Sequence, residues 1–296
     1  MAIVFRNYTS EFGFTEDFHK VRDFLVRINK DKVITPNFLW GRWEWMFSLP
    51  YMDKSALSKI GIWEDEDKMV ALVTYEDASD YVFFCVDPYY NHLKKDMMAY
   101  AKDKLVNDRK LHVIIDDNDR DLKCIAKKLG FRPTQDKQCT AMIDIDESIE
   151  YHLPEGFSVK SLGEECDLYK FNRCLYRGFN HGDDVPVSDT IILDRKNSVS
   201  SPHLKRYLNM VVVAPNGDYA SYCGIWYDES TNNALVEPVC TDPDYRMLGC
   251  GKAAVLEAVL RCSKLGAKQA YVGSNQQFYY NIGFSPISTE TWWELI

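Results

Sequence analysis

Residues 241–252, with the sequence TDPDYRMLGCGK, are the most informative part of this chain. They follow an apolar run at 234–240 and precede a segment at 253–262 whose apolar residues have helical spacing. A strand, a glycine-bearing turn and a helix in this order aim several unpaired backbone N–H groups and the positive end of a helix dipole at one place. Glycines let an anion approach the backbone closely. The stretch therefore predicts a phosphate site in an α/β protein.

The spacing from Arg246 to Gly251 is Arg-x-x-Gly-x-Gly. It differs from the Gly-x-x-x-x-Gly-Lys-Ser/Thr loop of nucleotide triphosphatases and from the Gly-x-Gly-x-x-Gly loop of dinucleotide-binding proteins. It resembles the motif with which the GNAT acyltransferases hold the pyrophosphate of acetyl-CoA. A second signature of that family supports the resemblance, because Tyr279 is followed four residues later by Gly-Phe at 283–284.

Composition limits the class of protein. The chain has 296 residues, of which 46% are hydrophobic and 27% are charged, as in a globular protein of one large or two ordinary domains. No apolar run approaches the roughly 18 residues of a membrane helix, and we find no export signal. The net charge of −9 argues against a nucleic-acid partner. Nine cysteines without a Cys-x-x-Cys pair indicate reduced thiols, so we expect a cytoplasmic protein without a metal site.

Two short matches indicate an internal duplication. The sequence VDPYY at 86–90 resembles TDPDY at 241–245, and LGF at 129–131 resembles IGF at 282–284. The two offsets are nearly equal and about half the chain length, which favours two copies of one domain. We predict a first domain at 1–150 and a second at 151–296, with the boundary near 147–155. Under the resemblance, each is a GNAT-like domain of the α/β (α+β) class, with a mixed, largely antiparallel sheet flanked by helices.

The first copy lacks the glycine loop. Three other side chains occupy the positions of the loop's arginine and two glycines, namely Asn91, Lys94 and Asp96. A carboxylate a few ångströms from a phosphate costs about 1 to 4 kcal/mol in water-like or surface surroundings. Ala126 stands where the second copy has Tyr279. We therefore interpret the first copy as degenerate, either a support for the second copy or a wall of its substrate cleft.

Apolar periodicity predicts the order of helices and strands. In the first half the predicted strands are 57–63, 69–75, 81–86, 111–115 and 138–145, and the predicted helices are 90–106 and 119–129. In the second half the predicted strands are 209–214, 219–227, 235–241, 269–273 and 291–295, and the predicted helices are 162–179, 253–262 and 276–282.

The resemblance implies a set of cofactor contacts. The backbone of one strand would bind the pantetheine arm of acetyl-CoA, through Val239, Cys240 and Thr241. Backbone N–H groups of the loop would hold the pyrophosphate, from Met247, Leu248, Gly249, Cys250, Gly251 and Lys252. Arg246 and Lys252 would add positive charge, unless Lys252 is simply solvated in the first helical turn. Asn275 would either bind the cofactor or cap the short helix that follows it.

The resemblance also implies direct transfer of an acetyl group from acetyl-CoA to a primary amine. Tyr279 matches the family's general acid, or is only a packed aromatic. A phenol of pKa about 10 protonates a thiolate of pKa about 8.5 uphill by about 2 kcal/mol, so we expect Tyr279 to stabilise developing charge. Glu237 lies four residues before Thr241, and on a regular strand both side chains face one side. Glu237 would act as general base, contact a cationic substrate, or serve structure.

Two rival functions use the same loop. One is a non-catalytic sensor or interaction protein that binds acyl-CoA, and the other is a tandem acyltransferase similar to mycothiol synthase. The loop at 181–184 and the aromatic residues Trp40, Trp43, Trp45 and Phe47 are further candidates for lining a substrate cleft. For the aromatic residues, core packing is the alternative that we favour.

Overall fold

A computed structural model of the chain describes residues 3–146 and 148–296, and these form two units. The first unit comprises residues up to Ala141 together with 273–275 and 286–296. The second unit comprises the rest, Met142–Val272 and Gln276–Ser285. The predicted boundary at 147–155 begins with Glu147, which lies outside the described residues.

The first unit contains a mixed sheet with helices packed against it. Its strands, numbered along the chain, are β1 (Val4–Asn7), β2 (Gly61–Asp65), β3 (Lys68–Tyr75), β4 (Tyr81–Val86), β5 (His112–Asp116), most of β6 (Phe131–Asp144) and most of β12 (Ser285–Leu295). Its helices are α1 (Glu16–Ile28), α2 (Trp40–Met46), α3 (Lys94–Lys104) and α4 (Arg120–Lys128). The strand order is β1-β2-β3-β4-β5-β12-β6. The β4–β5 pair is parallel, whereas β1–β2, β2–β3, β3–β4 and β5–β12 are antiparallel.

The second unit repeats this arrangement. Its strands are β7 (Ser158–Ser161), β8 (Met210–Val213), β9 (Tyr219–Tyr227), β10 (Asn233–Thr241) and β11 (Gln269–Val272), in the order β11-β10-β9-β8-β7. Its helices are α5 (Leu168–Gly178), α6 (Asp189–Ser198), α7 (Cys250–Ser263) and α8 (Gln277–Asn281). Only β10–β11 is parallel among these pairs. The predicted mixed, largely antiparallel sheet flanked by helices is confirmed. Within the described ranges, no helix combines the length and the apolar character needed to span a bilayer.

The predicted apolar face of α3 is confirmed. Met97, Met98, Ala101 and Leu105 are buried together against Trp63 of β2. The helix begins later than the predicted residue 90, however. The Asp87 carboxylate accepts a hydrogen bond from the Tyr89 N–H at 3.2 Å and stabilises a short 3-10 turn ahead of the helix.

Several other boundaries differ from the prediction. The strand predicted at 57–63 is wrong in its first half, because Asp53 caps a 3-10 helix at Lys54–Lys59 and β2 begins only at Gly61. The helix predicted at 162–179 begins at Leu168, where Asp167 supplies the N-cap. The predicted strand 138–145 is the second half of the longer β6.

The closing strand was predicted at 291–295 as part of the second half. It is longer, and it belongs to the first unit, where Glu290 to Glu294 pair with His112 to Asp116 of β5. Its buried residues Trp292 and Trp293 explain the position, since their large side chains pack in the first unit. Five elements had no predicted counterpart: β1, α1, α2, β7 and α6.

The two Asp-Pro repeats occupy equivalent structural positions. Each aspartate directly follows the strand that has a parallel neighbour, and each caps a short 3-10 turn. Each also binds an arginine in the last turn of the first α-helix of its unit. Arg27 of α1 lies 2.8 Å from Asp87, and Arg177 of α5 lies 3.0 Å from Asp242.

The two Gly-Phe repeats are equivalent as well. Gly130 follows α4 with φ +95°, and Gly283 follows α8 with φ +107°. Both φ values lie in the left-handed region, which glycine adopts at little cost at the end of a helix. The repeats detected in the sequence therefore mark the same structural positions in both units.

Candidate functional site

The second unit contains a cavity of about 860 Å³. Its wall is formed by the end of α5, the end of β10, the loop that leads into α7, the first turn of α7, and α8. The lining residues are Gly178, Phe179, Asn180, Val239, Cys240, Thr241, Tyr245, Arg246, Met247, Gly249, Cys250, Gly251, Lys252, Gln276, Phe278, Tyr279, Asn281 and Ile282.

Strand β10 reaches the cavity at a point where its sheet opens. Its parallel partner β11 pairs only with Asn233–Leu235 among the described residues. Beyond that point Val239, Cys240 and Thr241 line the cavity instead. Strand β9 satisfies one edge of this segment, through the pairing Val239↔Cys223. The other edge therefore presents backbone polar groups without a strand partner, which an extended ligand with amide groups is suited to pair with.

A bulge accompanies this opening. The register between β10 and β9 shifts between Val236 and Val239, and the Trp226 indole N–H donates to the Glu237 carbonyl at 3.0 Å. Gly224 on β9 makes room for the bulge. A Cβ atom there would lie 2.5 Å from the Glu237 carbonyl oxygen. Gly224 was not among the predicted site residues, although a glycine inside a strand is a known signal of close backbone approach.

The bulge also changes the expectation for Glu237. The prediction that Glu237 and Thr241 share one face of the strand assumed that successive side chains alternate between its two faces. An extra residue between Val236 and Val239 interrupts this alternation. Thr241 lines the cavity and Glu237 does not. The Glu237 side chain is half-buried, and its charge contributes to raising the pKa of Tyr279. Its role as a general base stays a prediction.

The first turn of α7 is built to receive an anion. Gly249 is the N-cap residue with φ +83°, and no side chain caps the helix. The backbone N–H groups of Cys250, Gly251 and Lys252 therefore lack an intrahelical acceptor, as in the first turn of any helix. All three residues line the cavity. Together with the helix dipole, these groups favour a phosphate oxygen.

Gly251 has a packing role in addition. A Cβ atom at this position would lie 2.9 Å from the Thr241 hydroxyl oxygen and 3.3 Å from the ring of Phe278. The missing side chain thus lets α7 lie against the end of β10. At Gly249 the constraint is different, because the backbone is left-handed and a Cβ atom would meet only the His152 carbonyl oxygen, at 3.3 Å.

The two cations of the loop differ in how they are held. The Arg246 guanidinium donates to the Thr241 carbonyl at 3.2 Å, to the Gly178 carbonyl at 3.1 Å and to the Asn180 side chain at 2.8 Å. It therefore ties the loop to the end of α5. Lys252 makes no ion pair with any residue that the structure describes, and it lines the cavity, so its charge is available to a ligand.

A buried ion-pair cluster fixes the start of the loop. The fully buried Asp242 carboxylate lies 3.0 Å from both Arg177 and Arg173 of α5. It also accepts a hydrogen bond from the Asp244 N–H at 3.1 Å. Charge-assisted hydrogen bonds of this kind are among the stronger ones in proteins. The cluster holds the turn from which the cavity wall continues.

Tyr279 of α8 lines the cavity and is only 7% exposed. Its ring packs against Phe278 and Phe284, with centroid separations of 5.0 and 5.7 Å. Its hydroxyl makes no hydrogen bond with any described residue. Burial raises the pKa of this phenol well above its usual value, and the nearby Cys223 and Glu237 raise it further. The hydroxyl is therefore protonated at neutral pH and able to donate a hydrogen bond into the cavity.

All but three of the predicted site residues line this cavity; the exceptions are Glu237, Leu248 and Asn275. Asn275 belongs to the first unit, and the alternative that it caps α8 is wrong, because the N-cap residue is Gln276 and no side chain makes a capping bond there. Three other lining residues lie about 60 positions before the loop in sequence and were therefore missed: Gly178, Phe179 and Asn180. The rest lie within or next to the two motifs but are not positions that the motifs specify: Tyr245, Gln276, Phe278, Asn281 and Ile282.

Three of the four aromatic residues predicted as either core or cleft belong to the core, and the fourth, Trp45, is half-buried. Trp40, Trp43 and Phe47 are buried, and the Trp43 indole N–H donates to the Phe18 carbonyl at 3.0 Å. The loop at 181–184 does not line the cavity, and Asp183 within it pairs with Arg177.

Comparison with known proteins shows the fold. No family model matches the chain, and no curated protein matches it. Among solved structures, a tandem GNAT protein from the clavulanic acid biosynthesis pathway is 12% identical, with a TM-score of 0.60 over 99% of this chain and 98% of that one. A GCN5-related N-acetyltransferase from Sphaerobacter thermophilus is 12% identical, with a TM-score of 0.58 over 99% and 95%. The N-myristoyltransferase of Saccharomyces cerevisiae, solved with myristoyl-CoA, is 9% identical, with a TM-score of 0.51 over 99% and 78%.

These matches cover nearly the whole chain at low identity, so they establish architecture. The protein has the tandem GNAT fold. The resemblance that the sequence motifs indicated is confirmed at the level of the fold.

Proposed function

We propose that the cavity of the second unit binds an acyl-CoA, with acetyl-CoA as the first candidate, and that the protein transfers the acyl group to a primary amine. The proposal rests on one observation, namely that three features meet in one cavity. These are an uncapped helix start at Gly249, a β10 edge without a strand partner, and the protonated hydroxyl of Tyr279. Solved structures of the same fold are named as acetyltransferases or contain myristoyl-CoA, which supports the choice of ligand.

The first turn of α7 suits the pyrophosphate of the carrier. Three backbone N–H groups without intrahelical acceptors, from Cys250 to Lys252, would bind phosphate oxygens, and the unpaired Lys252 ammonium would balance their charge. Arg246 would contribute by holding the loop against α5, since its guanidinium is already engaged. The free edge of Val239–Thr241 would pair with the amide groups of the pantetheine arm.

The bound thioester would supply an activated acyl group. The chain would contribute mainly by orientation, which is worth about 7 to 11 kcal/mol in well-aligned systems. Tyr279 would donate a hydrogen bond to the sulfur as negative charge develops there, and its raised pKa keeps the proton on the phenol. The attacking amine must be neutral, and Glu237 is our candidate for accepting its proton through water.

We propose that the first unit does not bind the carrier. Lys94 stands where the second unit has Gly249, and its ammonium lies 2.7 Å from Asp119. Asp96 adds a carboxylate to the first turn of α3. The domain at 151–296 would therefore carry the acyl-transfer site, and the domain at 1–150 would not.

Calorimetric titration with acetyl-CoA tests the binding step. We expect saturation at one carrier per chain. Release of free thiol in the presence of a panel of primary amines then tests transfer. Binding without any amine-dependent thiol release would favour the sensor function, whereas the absence of saturation with folded protein would refute the proposal.

Tyr279→Phe tests the chemistry. Loss of the hydroxyl removes the hydrogen bond to the leaving sulfur but leaves the ring packing intact. We expect turnover to fall about 10- to 100-fold, the value of one hydrogen bond to a charged group, with little change in the Kd of acetyl-CoA. Tyr280→Phe is the matched control, because it makes the same change one residue along the same helix, away from the cavity lining. Equal turnover in Tyr279→Phe and the unmodified protein would remove Tyr279 from the mechanism.

A further inference from the structure

The first unit has a cavity of its own, of about 150 Å³. It lies between β4 and β5, whose pairing in the described part of the chain is limited to Tyr81↔His112 and Val82↔Val113. The cavity extends to Pro88 and Asn91, which are exposed, so that it opens to solvent. None of its lining residues lines the cavity of the second unit.

A buried carboxylate with no hydrogen bond of ordinary geometry to the described residues lines this cavity. Glu290 of β12 lies opposite Asp116 of β5 and is only 1% exposed. Neither of its carboxylate oxygens accepts a hydrogen bond of ordinary geometry from any residue that the structure describes. Leaving such a group unpaired costs free energy, so a buried and unsatisfied carboxylate beside a cavity points to a ligand.

The charges around Glu290 favour a cation. Asp116 and Asp119 line the same cavity. The one lining ammonium group, that of Lys94, is already bound to Asp119 at 2.7 Å. The lining therefore carries more negative than positive charge. The cavity of the second unit is instead lined by the positive end of a helix dipole and by the ammonium group of Lys252.

The pKa of Glu290 agrees with this imbalance. Burial raises the pKa of its carboxyl group to about 7, and the carboxylates of Asp116 and Asp117 contribute to the rise, while the Ser288 hydroxyl as a hydrogen-bond donor and the positive charge of Arg42 oppose it. A positively charged ligand would stabilise the ionised form.

The remaining walls restrict the kind of cation. In the described residues, no group of three or more His, Cys, Asp or Glu side chains is arranged to hold a metal ion. Of the remaining lining residues, Thr35, Asn37 and Asn91 are polar, and Ile34, Phe84, Val86, Ile114 and Leu122 are apolar. A cavity of about 150 Å³ holds a ligand the size of benzene. An ammonium group on a short hydrocarbon chain matches the size of the cavity, its apolar residues and its buried carboxylate.

We propose that the cavity of the first unit is a binding site for a small aliphatic primary amine, whose ammonium group is bound by Glu290. The site occupies the region where this copy has Asn91 and Lys94 in place of the loop arginine and glycine. It does not depend on acyl transfer by the second unit.

Titration of the full chain with n-propyl-, n-butyl- and n-pentylammonium chloride at pH 8 tests the proposal, with equal concentrations of NaCl as the ionic-strength control and 1-butanol as the neutral analogue. We expect saturable binding at one site per chain for at least one amine, and at least tenfold weaker binding of 1-butanol.

Glu290→Gln keeps the shape of the side chain and removes its charge, so it should weaken amine binding at least tenfold. Glu294→Gln makes the same change at an exposed position of the same strand and should leave amine binding unchanged. Titration of each variant with acetyl-CoA reports on the second unit separately, and circular dichroism confirms that each is folded. The proposal is overturned if no amine saturates the protein, if 1-butanol binds as tightly, or if Glu290→Gln binds the amines as the unmodified protein does.

Discussion

The two units use the same framework to build cavities of opposite charge. In each, a strand leaves its parallel neighbour, an Asp-Pro turn follows, and a helix begins. Neither α7 nor α3 has a side-chain cap at its start. The cavity of the second unit is lined by the cations Arg246 and Lys252, whereas the cavity of the first unit is lined by Asp116, Asp119 and Glu290, with Lys94 paired to Asp119. A duplicated framework can therefore be kept while side chains at the helix start and on neighbouring elements reverse the charge of the cavity lining.

The shared part of the framework is the arginine–aspartate pair at the start of the turn. Its burial differs between the units. Asp242 is fully buried and binds two arginines, while Asp87 is slightly exposed and binds Arg27, whose side chain is 36% exposed. Because buried pairs leave an uncompensated charge when one partner is removed, the two pairs should differ in their contribution to stability.

The largest expected effect is on the stability of the two units. Asp242→Asn should lower the free energy of unfolding by about 3 kcal/mol, because Arg177 and Arg173 lose their buried partner and keep only the more exposed carboxylates of Asp183, Asp218 and Asp244. Asp87→Asn should cost less, about 1 to 2 kcal/mol, because Arg27 is more exposed. Urea unfolding of both variants measures the difference. Equal losses would show that the two pairs do not differ as their burial indicates.

The next effect concerns carrier binding. Gly249→Val places a β-branched side chain at φ +83° beside the amides that we assign to the pyrophosphate, so the Kd of acetyl-CoA should rise about 100-fold or more, equivalent to about 3 kcal/mol. The reciprocal change, Lys94→Gly, should not create a second carrier site, because Asn91 and Asp96 stay in place. Calorimetric stoichiometry distinguishes the outcomes, and two carriers per Lys94→Gly chain would contradict our account of the first unit. Thermal unfolding of Gly249→Val shows whether the loss is local.

The smallest expected effect is the pH dependence of stability. The folded-state pKa of Glu290, about 7, lies above that of an exposed glutamate, so its protonated form favours folding. This stabilisation of the folded state is complete at acidic pH, below the pKa that Glu290 has in the unfolded chain. It is lost as the pH rises through about 7, the pKa in the folded state. Between pH 5 and pH 8 it should amount to about 2 kcal/mol. Glu290→Gln should remove that part of the pH dependence, whereas Tyr279→Phe should not, because a phenol of raised pKa does not titrate in this range. Denaturation curves at both pH values, recorded without added amine, measure it.

Short-range features of the fold were predictable from the residues. Glycine spacing at 249–251 indicated a helix start, and the spacing of Met97, Met98, Ala101 and Leu105 indicated a buried helix face. The Asp-Pro and Gly-Phe matches located equivalent turns in the two units. These features succeed because a turn, a cap or an apolar face depends on residues within a few positions of one another.

Other features depended on distant parts of the chain. The bulge at Glu237 needs Gly224 on the neighbouring strand, and the wall of the second unit's cavity includes the end of α5, about 60 residues before β10. Regular alternation was the wrong basis for placing Glu237, because a bulge follows from contacts across strands and not from the strand's own sequence.

The residues alone thus specified the class of fold, the helix start suited to phosphate, and the loss of that loop in the first copy. Only the tertiary structure placed β12 against β5. This pairing buries Glu290 in a cavity opposite Asp116, a residue more than 170 positions earlier in the sequence. The physical reason is that hydrogen bonds between strands and the burial of charge depend on which segments meet in space. Local sequence patterns carry little information about contacts between segments that are far apart in the chain.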